Sequence, residues 1–232
     1  MGPQQANASG GGAGNRARLA RCPFHRWAAK ESLPIGSRRC EDWDIGSYGT
    51  TNDQDKENEV SISFHEASVG SYLQLLGGVA GVLGKGATHA AEAGLDLQEI
   101  VMTRLREDMM PFHFQVVSVA HHSWGAMQGL QKGSFSPPSF DLDKDYAGLQ
   151  RLVAEARGGL ESLDSADVNA LTEKSMVFKL GKNELPFTNQ NFLLSFSLPN
   201  FYFHATTTYD ILRMLGVSIG KGDFLGQMKM GT

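Results

Sequence analysis

The sequence predicts an all-α fold, an antiparallel four-helix bundle with a small β-hairpin between its third and fourth helices. Three observations lead there. Four stretches repeat apolar residues at three- and four-residue steps. Short breaks rich in glycine, proline or serine separate them. One stretch alternates apolar and polar residues instead. With 232 residues, 41% hydrophobic and 20% charged, the chain holds one ordinary domain of this kind and some excess.

The excess lies at the N-terminus. Residues 1–59 open with Gly, Ala, Asn and Ser and show no period that would bury a face, so they read as a disordered leader. The bundle then occupies 60–226, with a tail at 227–232. Within the leader, residues 1–40 carry seven Lys/Arg against the single acid Glu31, whereas residues 41–59 carry Lys56 against seven acids. The Arg-rich, acid-poor start (Arg16, Arg18, Arg21, Arg26) resembles an organellar transit peptide. The expected location is cytoplasmic, or organellar if that segment directs import.

Phe64, Tyr72, Leu75, Leu76, Val79, Val82 and Leu83 define the first helix. Its weakness is glycine, since Gly77, Gly78, Gly81, Gly84 and Gly86 each cost up to ~1 kcal/mol relative to Ala in a helix interior. Either tertiary packing compensates or neighbouring backbones approach closely there. A Gly94-Leu95-Asp96 break leads to a short turn near Leu97 to Thr103. The second helix is expected from about Met109 to Leu130, with Pro111 in its first turn, where no N–H partner is lost.

Pro137 and Pro138 mark a loop at Ser134 to Ser139, after which Tyr146, Leu149, Leu152, Val153, Ala156 and Leu160 define the third helix. Met176, Phe178 and Leu180 then alternate with polar residues. Gly181-Lys182-Asn183 can turn and Leu185 to Thr188 can return, which gives the hairpin. The fourth helix starts near Thr188 or Asn189, tolerates or kinks at Pro199 and runs through His204 to Leu215. Gly216 stands at its C-cap position.

Several functions are excluded by composition and motif. The longest uninterrupted apolar runs fall short of the ~20 residues a membrane helix needs, so no membrane partner is expected. Cys22 and Cys40 both lie in the leader, which leaves the folded part without a disulfide or a thiolate metal site. From Val60 onward 13 Lys/Arg face 17 Asp/Glu, a balance that disfavours nucleic acid. No His-Glu-x-x-His pair, phosphate-cradling glycine loop or nucleophile elbow is present.

Helical spacing supplies the remaining candidates. On the second helix Asp108, Gln115 and His122 recur every seven residues, and on the fourth Asn200 and His204 stand at i and i+4. If both stripes face inward, polar groups from two helices meet inside an apolar bundle, where each needs a partner or a ligand. In the enzymatic reading His204 is the general acid or base, with Asp108 and Tyr209 as further catalytic groups. Gln115, Asn200 and His122 would then bind a ligand or cofactor. Ordinary roles compete: His204 as a hydrogen-bonded core residue, Asp108 as a helix cap, Gln115 as a bridge between helices.

The stretch from Leu198-Pro199-Asn200-Phe201 through His204 to Ile211-Leu212-Arg213, with Gly216-Val217 and Gly220-Lys221-Gly222-Asp223-Phe224-Leu225-Gly226 after it, carries a resemblance. Arg104-Leu105, Asp108-Met109, Pro111 and Gln115-Val116 extend it to the second helix. Together they resemble the domain-of-unknown-function family numbered nineteen ninety-three, within the DinB/YfiT-like superfamily of metalloenzymes. The resemblance runs from about Val60 to Gly226 and implies a four-helix bundle.

It also implies a site. Many superfamily members hold a divalent metal with three histidines, one on the second helix and two at i and i+4 on the fourth. Those positions fall on Gln115 (or close to it), Asn200 and His204. Two carboxamides thus stand where relatives present imidazole, and amide oxygens are weak ligands for zinc or nickel. A divalent metal is therefore not the expected cofactor, and no other is named by the sequence. The expected partner is an unidentified small molecule, bound either by an enzyme centred on His204 or by a non-catalytic module; homodimer formation is compatible with a bundle of this kind.

Overall fold

In a computed structural model that describes residues 61–231, the chain forms four helical rods and a small sheet. The leader, with its transit-peptide reading and its two cysteines, lies outside the described residues.

The first rod begins with a wide, π-type turn at Glu66–Gly70 and continues as α1, Ser71–Ala93. Tyr72, Leu75, Leu76, Val79, Val82 and Leu83 are all buried, as their spacing requires. Gly94, with φ 67°, ends the helix in the left-handed conformation that glycine adopts without strain. Glu66–Ala93 is long and apolar enough to cross a membrane, but 56% of its most apolar window is buried inside the bundle, as in a core helix.

Two of the glycines mark close approaches. A Cβ on Gly78 would stand 2.2 Å from the carbonyl oxygen of Phe224 in α9 (Lys221–Leu225), and one on Gly86 would stand 2.4 Å from the Tyr146 hydroxyl. That hydroxyl donates to the Leu83 carbonyl at 2.8 Å. Gly77, Gly81 and Gly84 face open space, and nothing in the structure explains them. Gly81→Ala is accordingly expected to stabilise the protein by up to ~1 kcal/mol, read as a higher urea midpoint at constant slope.

A short α2, Leu97–Met102, is capped by Asp96, whose carboxylate accepts from the Gln98 N–H at 2.9 Å. The second rod comprises α3, Phe112–Ala120, a π-type turn at His121–Gly125, and α4, Ala126–Lys132. It starts three residues later than its periodicity suggested, with Pro111 as the cap. The third rod is α5, Tyr146–Glu161, capped by Asp145; a one-turn α6, Ser165–Asn169, comes after it. The fourth rod comprises α7, Asn189–Phe192, a π-type turn at Leu193–Ser197, and α8, Leu198–Met214. Pro199 is the second residue of α8, one residue past that wide turn. Its nitrogen has no hydrogen to give to the preceding turn, so the helix changes register there and continues.

Contacts set the directions of the rods. Tyr72 meets Phe201 edge-on at 5.0 Å and Gly86 lies under Leu212, so α1 and α8 run parallel. Phe112 stacks on Tyr146 at 5.8 Å and Trp124 covers Gly159, so the second and third rods also run parallel. The first rod is antiparallel to the third, and the second to the fourth. The parallel second and third rods require the chain to travel back along the bundle through residues 133–145.

Part of that return joins the sheet. β1, Ser134–Phe135, pairs in parallel with β2, Ser175–Leu180, which pairs antiparallel with β3, Asn183–Thr188, in the order β1-β2-β3. The expected hairpin is β2–β3, closed where Leu180 pairs with Asn183 and Gly181 takes φ 61°. Pro186 lies on the edge strand, where its missing N–H costs no ladder bond.

Candidate functional site

His204 and Gln115 meet where the second and fourth rods cross. The imidazole Nδ1–H donates to Gln115 Oε1 at 2.7 Å, and Gln115 Nε2–H donates to the Met110 carbonyl at 2.8 Å. Both ends of the carboxamide are thereby assigned: its amino group must face the carbonyl, so its oxygen must face the ring. This fixes the tautomer of His204. Its Nδ1 carries the proton and Nε2 keeps a free lone pair.

Aromatic rings surround this imidazole. Phe114 and Phe203 meet it edge-on at 5.9 and 5.2 Å, and Phe140, from the return loop, stacks on Phe114 at 5.3 Å. Phe140 and Phe203 are 65% and 56% exposed, while His204 itself is half-buried. Burial pushes the His204 pKa down to about 4, so the ring is neutral at physiological pH.

His122 lies behind it, nearly parallel, with ring centroids 5.8 Å apart. It is 5% exposed and its Nδ1 has no hydrogen-bond partner. Burial first, then the neighbouring His121 and His204, hold its pKa down at about 3. The backbone around it is fixed from the other side. Ser197 Oγ–H donates to the His122 carbonyl at 2.8 Å, so the Tyr72 hydroxyl, 2.8 Å from Ser197 Oγ, must be the donor in that contact. This relay joins the π-type turns of the second and fourth rods, and such turns gather at functional sites.

The remaining expected site residues are placed elsewhere. Asp108 precedes the helix instead of standing on it, because the chain from Thr103 to Pro111 is a loop closed by the Phe112 N–H on the Thr103 carbonyl. Its side chain is exposed and pairs with Arg106 at 3.3 Å. Tyr209 packs edge-on against Phe224 of α9 at 5.7 Å, away from the imidazoles. Asn200 turns back along its own helix and donates to the Phe196 carbonyl at 2.7 Å. His113, which was not among the expected site residues, is fully buried: its Nε2 accepts from the Lys144 N–H at 3.1 Å, which ties the return loop to the second rod.

The residues do not fit a divalent metal. Gln115 commits its oxygen to His204, Asn200 donates within its own helix, and among the described residues no three His, Cys, Asp or Glu side chains are grouped to hold an ion. A groove of about 880 Å³ lies beside the start of the first rod, and a cleft of about 360 Å³ lies between the second and third rods; His204 lines neither.

Residues 64–225 match the family described as "Domain of unknown function (DUF1993)". The chain belongs to the DUF1993 family. The match spans the bundle, the sheet and α9. The crystal structure of a DinB family member protein from Shewanella denitrificans superposes on this DUF1993 protein with a TM-score of 0.61, covering 72% of this chain and 94% of that one at 24% identity. That likeness shows the shared fold, which is DinB-like. No protein of curated function matches the chain.

Proposed function

We propose that this DUF1993 protein binds a small, largely apolar molecule at His204, with the neutral imidazole accepting a hydrogen bond or a proton from it. The observation that carries this reading is the Gln115 contact. It spends the Nδ1 proton and leaves the Nε2 lone pair uncommitted on a half-buried ring beside exposed aromatic groups. An imidazole near pKa 4 is in the acceptor form at neutral pH but is a weak base. It suits hydrogen-bond recognition, or the removal of an already acidic proton, better than demanding proton abstraction.

A metabolite thermal-shift screen tests this, because a ligand stabilises the folded state by RT ln(1 + [L]/Kd). A hit of this class should vanish in His204→Ala and in Phe203→Ala. Its affinity should be flat above about pH 5 and fall as pH drops through about 4, since protonated Nε2 becomes a donor. A second reading has its own support: His204 and Gln115 satisfy each other, as a polar layer fixing helix register would. His204→Ala that lowers the melting temperature and leaves every screening hit unchanged would favour that layer and defeat the binding proposal.

A further inference from the structure

The cleft of about 360 Å³ between α3 and α5, closed on one side by the return loop, is within the size range of small-molecule sites. Its floor is apolar, with Val117 and Leu152 contributing the larger side chains. Trp124 forms one wall and is held firmly, since its indole lies where a Cβ on Gly159 would be, 2.5 Å from the nearest ring atom.

Beside donors such as the Lys144 ammonium and the Gln128 amide, two groups along this cleft are acceptors only. His121 Nε2–H donates to the Ser136 carbonyl at 2.7 Å, so its Nδ1 is a bare lone pair. Gly125 lines the same cleft and leaves that nitrogen uncovered; a Cβ there would stand 3.2 Å from it. Burial lowers the His121 pKa, which keeps the ring neutral and accepting. Glu155 adds an exposed carboxylate that makes no ion pair among the described residues.

Nearby cations are already engaged. Arg151 approaches Asp145 at 3.9 Å, Arg157 binds Glu161 at 2.9 Å, and Lys144, at the cleft itself, binds Asp143 at 2.9 Å. The cleft therefore combines an unpaired anion, a neutral acceptor nitrogen and an indole wall over an apolar floor. Each of the three favours a positively charged donor.

The geometry points to a second binding site, for a small organic ammonium ion with an apolar or aromatic body. Glu155 and the Nδ1 of His121 receive the ammonium, while the body lies over Val117 and Leu152 against Trp124. This site is separate from His204, on the other side of the second rod, and does not depend on the function proposed there.

The test uses the full chain with Trp27→Phe and Trp43→Phe, which leaves Trp124 as the sole indole reporter. Phenethylamine is titrated against hydrocinnamate, which replaces the ammonium by a carboxylate on a similar body. The expected result is a saturable change in Trp124 fluorescence with the amine and binding weaker by roughly tenfold or more with the acid. Glu155→Gln, an exposed change that leaves the fold intact, should weaken the amine by a similar factor. His204→Ala should leave it unchanged. Equal binding of amine and acid, an unchanged affinity in Glu155→Gln, or no saturable signal with millimolar amine would each overturn the site.

Discussion

Lowering the pH from 7 to 4 is expected to remove on the order of 5 kcal/mol of stability, most of it through two stacked imidazoles. His122 and His204 have folded pKa values of about 3 and about 4, against about 6.5 for an unfolded histidine. Between those values the unfolded chain binds protons that the folded chain refuses, so stability rises with pH across the window. The contribution is fully present above about pH 6.5 and is lost as pH falls toward 4, at about 1.4 kcal/mol per unit for each ring. His113 and His121 are shifted the same way by burial and steepen the slope. The depressed carboxyls of Asp143 and Asp223 act below their ordinary pKa of 3.8 and so fall outside this window.

The total is comparable to the whole stability of a typical domain. Urea titrations at pH 7, 6, 5 and 4.5 should therefore show a midpoint that drops at each step. His122→Phe replaces the imidazole by a larger apolar ring that cannot be protonated, removes the unpartnered Nδ1, and should flatten the slope by about one histidine's share. His122 and His204 touch, so their contributions will not add independently. A midpoint that stays constant from pH 7 to 4.5 would mean that these rings are solvated and protonated in the folded protein.

The same residues show how far the sequence could be read. The rods were legible because Leu75, Leu76, Val79, Val82 and Leu83 fall on one helical face, and burial tracks that face. The hairpin was legible from Met176 and Phe178, which point inward, and from Gly181 at the turn. The meeting of His204 with Gln115 needed one assumption, that both stripes face inward, and the geometry meets it for Gln115, His122 and His204 but not for Asp108 or Asn200. Asp108 shows where periodicity misleads. A seven-residue step from Gln115 is helical only if the helix reaches that far, and Pro111 caps the helix first.

Other features left no local trace. A π-type turn inserts one residue without altering composition, yet it rotates the remainder of the helix by about a hundred degrees. In the second rod such a turn begins at His121 and His122, one of which faces the cleft beside α5 while the other stacks on His204. β1 is two residues long, too short to alternate. The glycines of α1 were recognisably costly, but the backbone that Gly78 admits belongs to α9, far along the chain.

Gly78→Ala is expected to cost roughly 2–4 kcal/mol, opposite in sign to Gly81→Ala on the same helix. In both variants the methyl group raises helix propensity by the same amount, so packing alone separates them. At Gly81 the methyl enters open space, whereas at Gly78 it meets the Phe224 carbonyl oxygen at 2.2 Å and the Asp223 carbonyl oxygen at 3.0 Å. These are backbone atoms that no rotamer change can move. α9 is also held from both ends: Lys85 binds Asp223 at 2.7 Å, and Gln74 Nε2–H donates to the Leu225 carbonyl at 3.2 Å. To admit the methyl, α9 must lift from the groove, breaking those contacts and uncovering Phe224 and Tyr209, which pack together at 5.7 Å. The variant should therefore show faster amide exchange and proteolysis at residues 220–228 well below the denaturant concentration that unfolds the bundle. If Gly78→Ala and Gly81→Ala gained stability alike, α9 would not be seated on α1 in solution, and the close approach at Gly78 would have no energetic meaning.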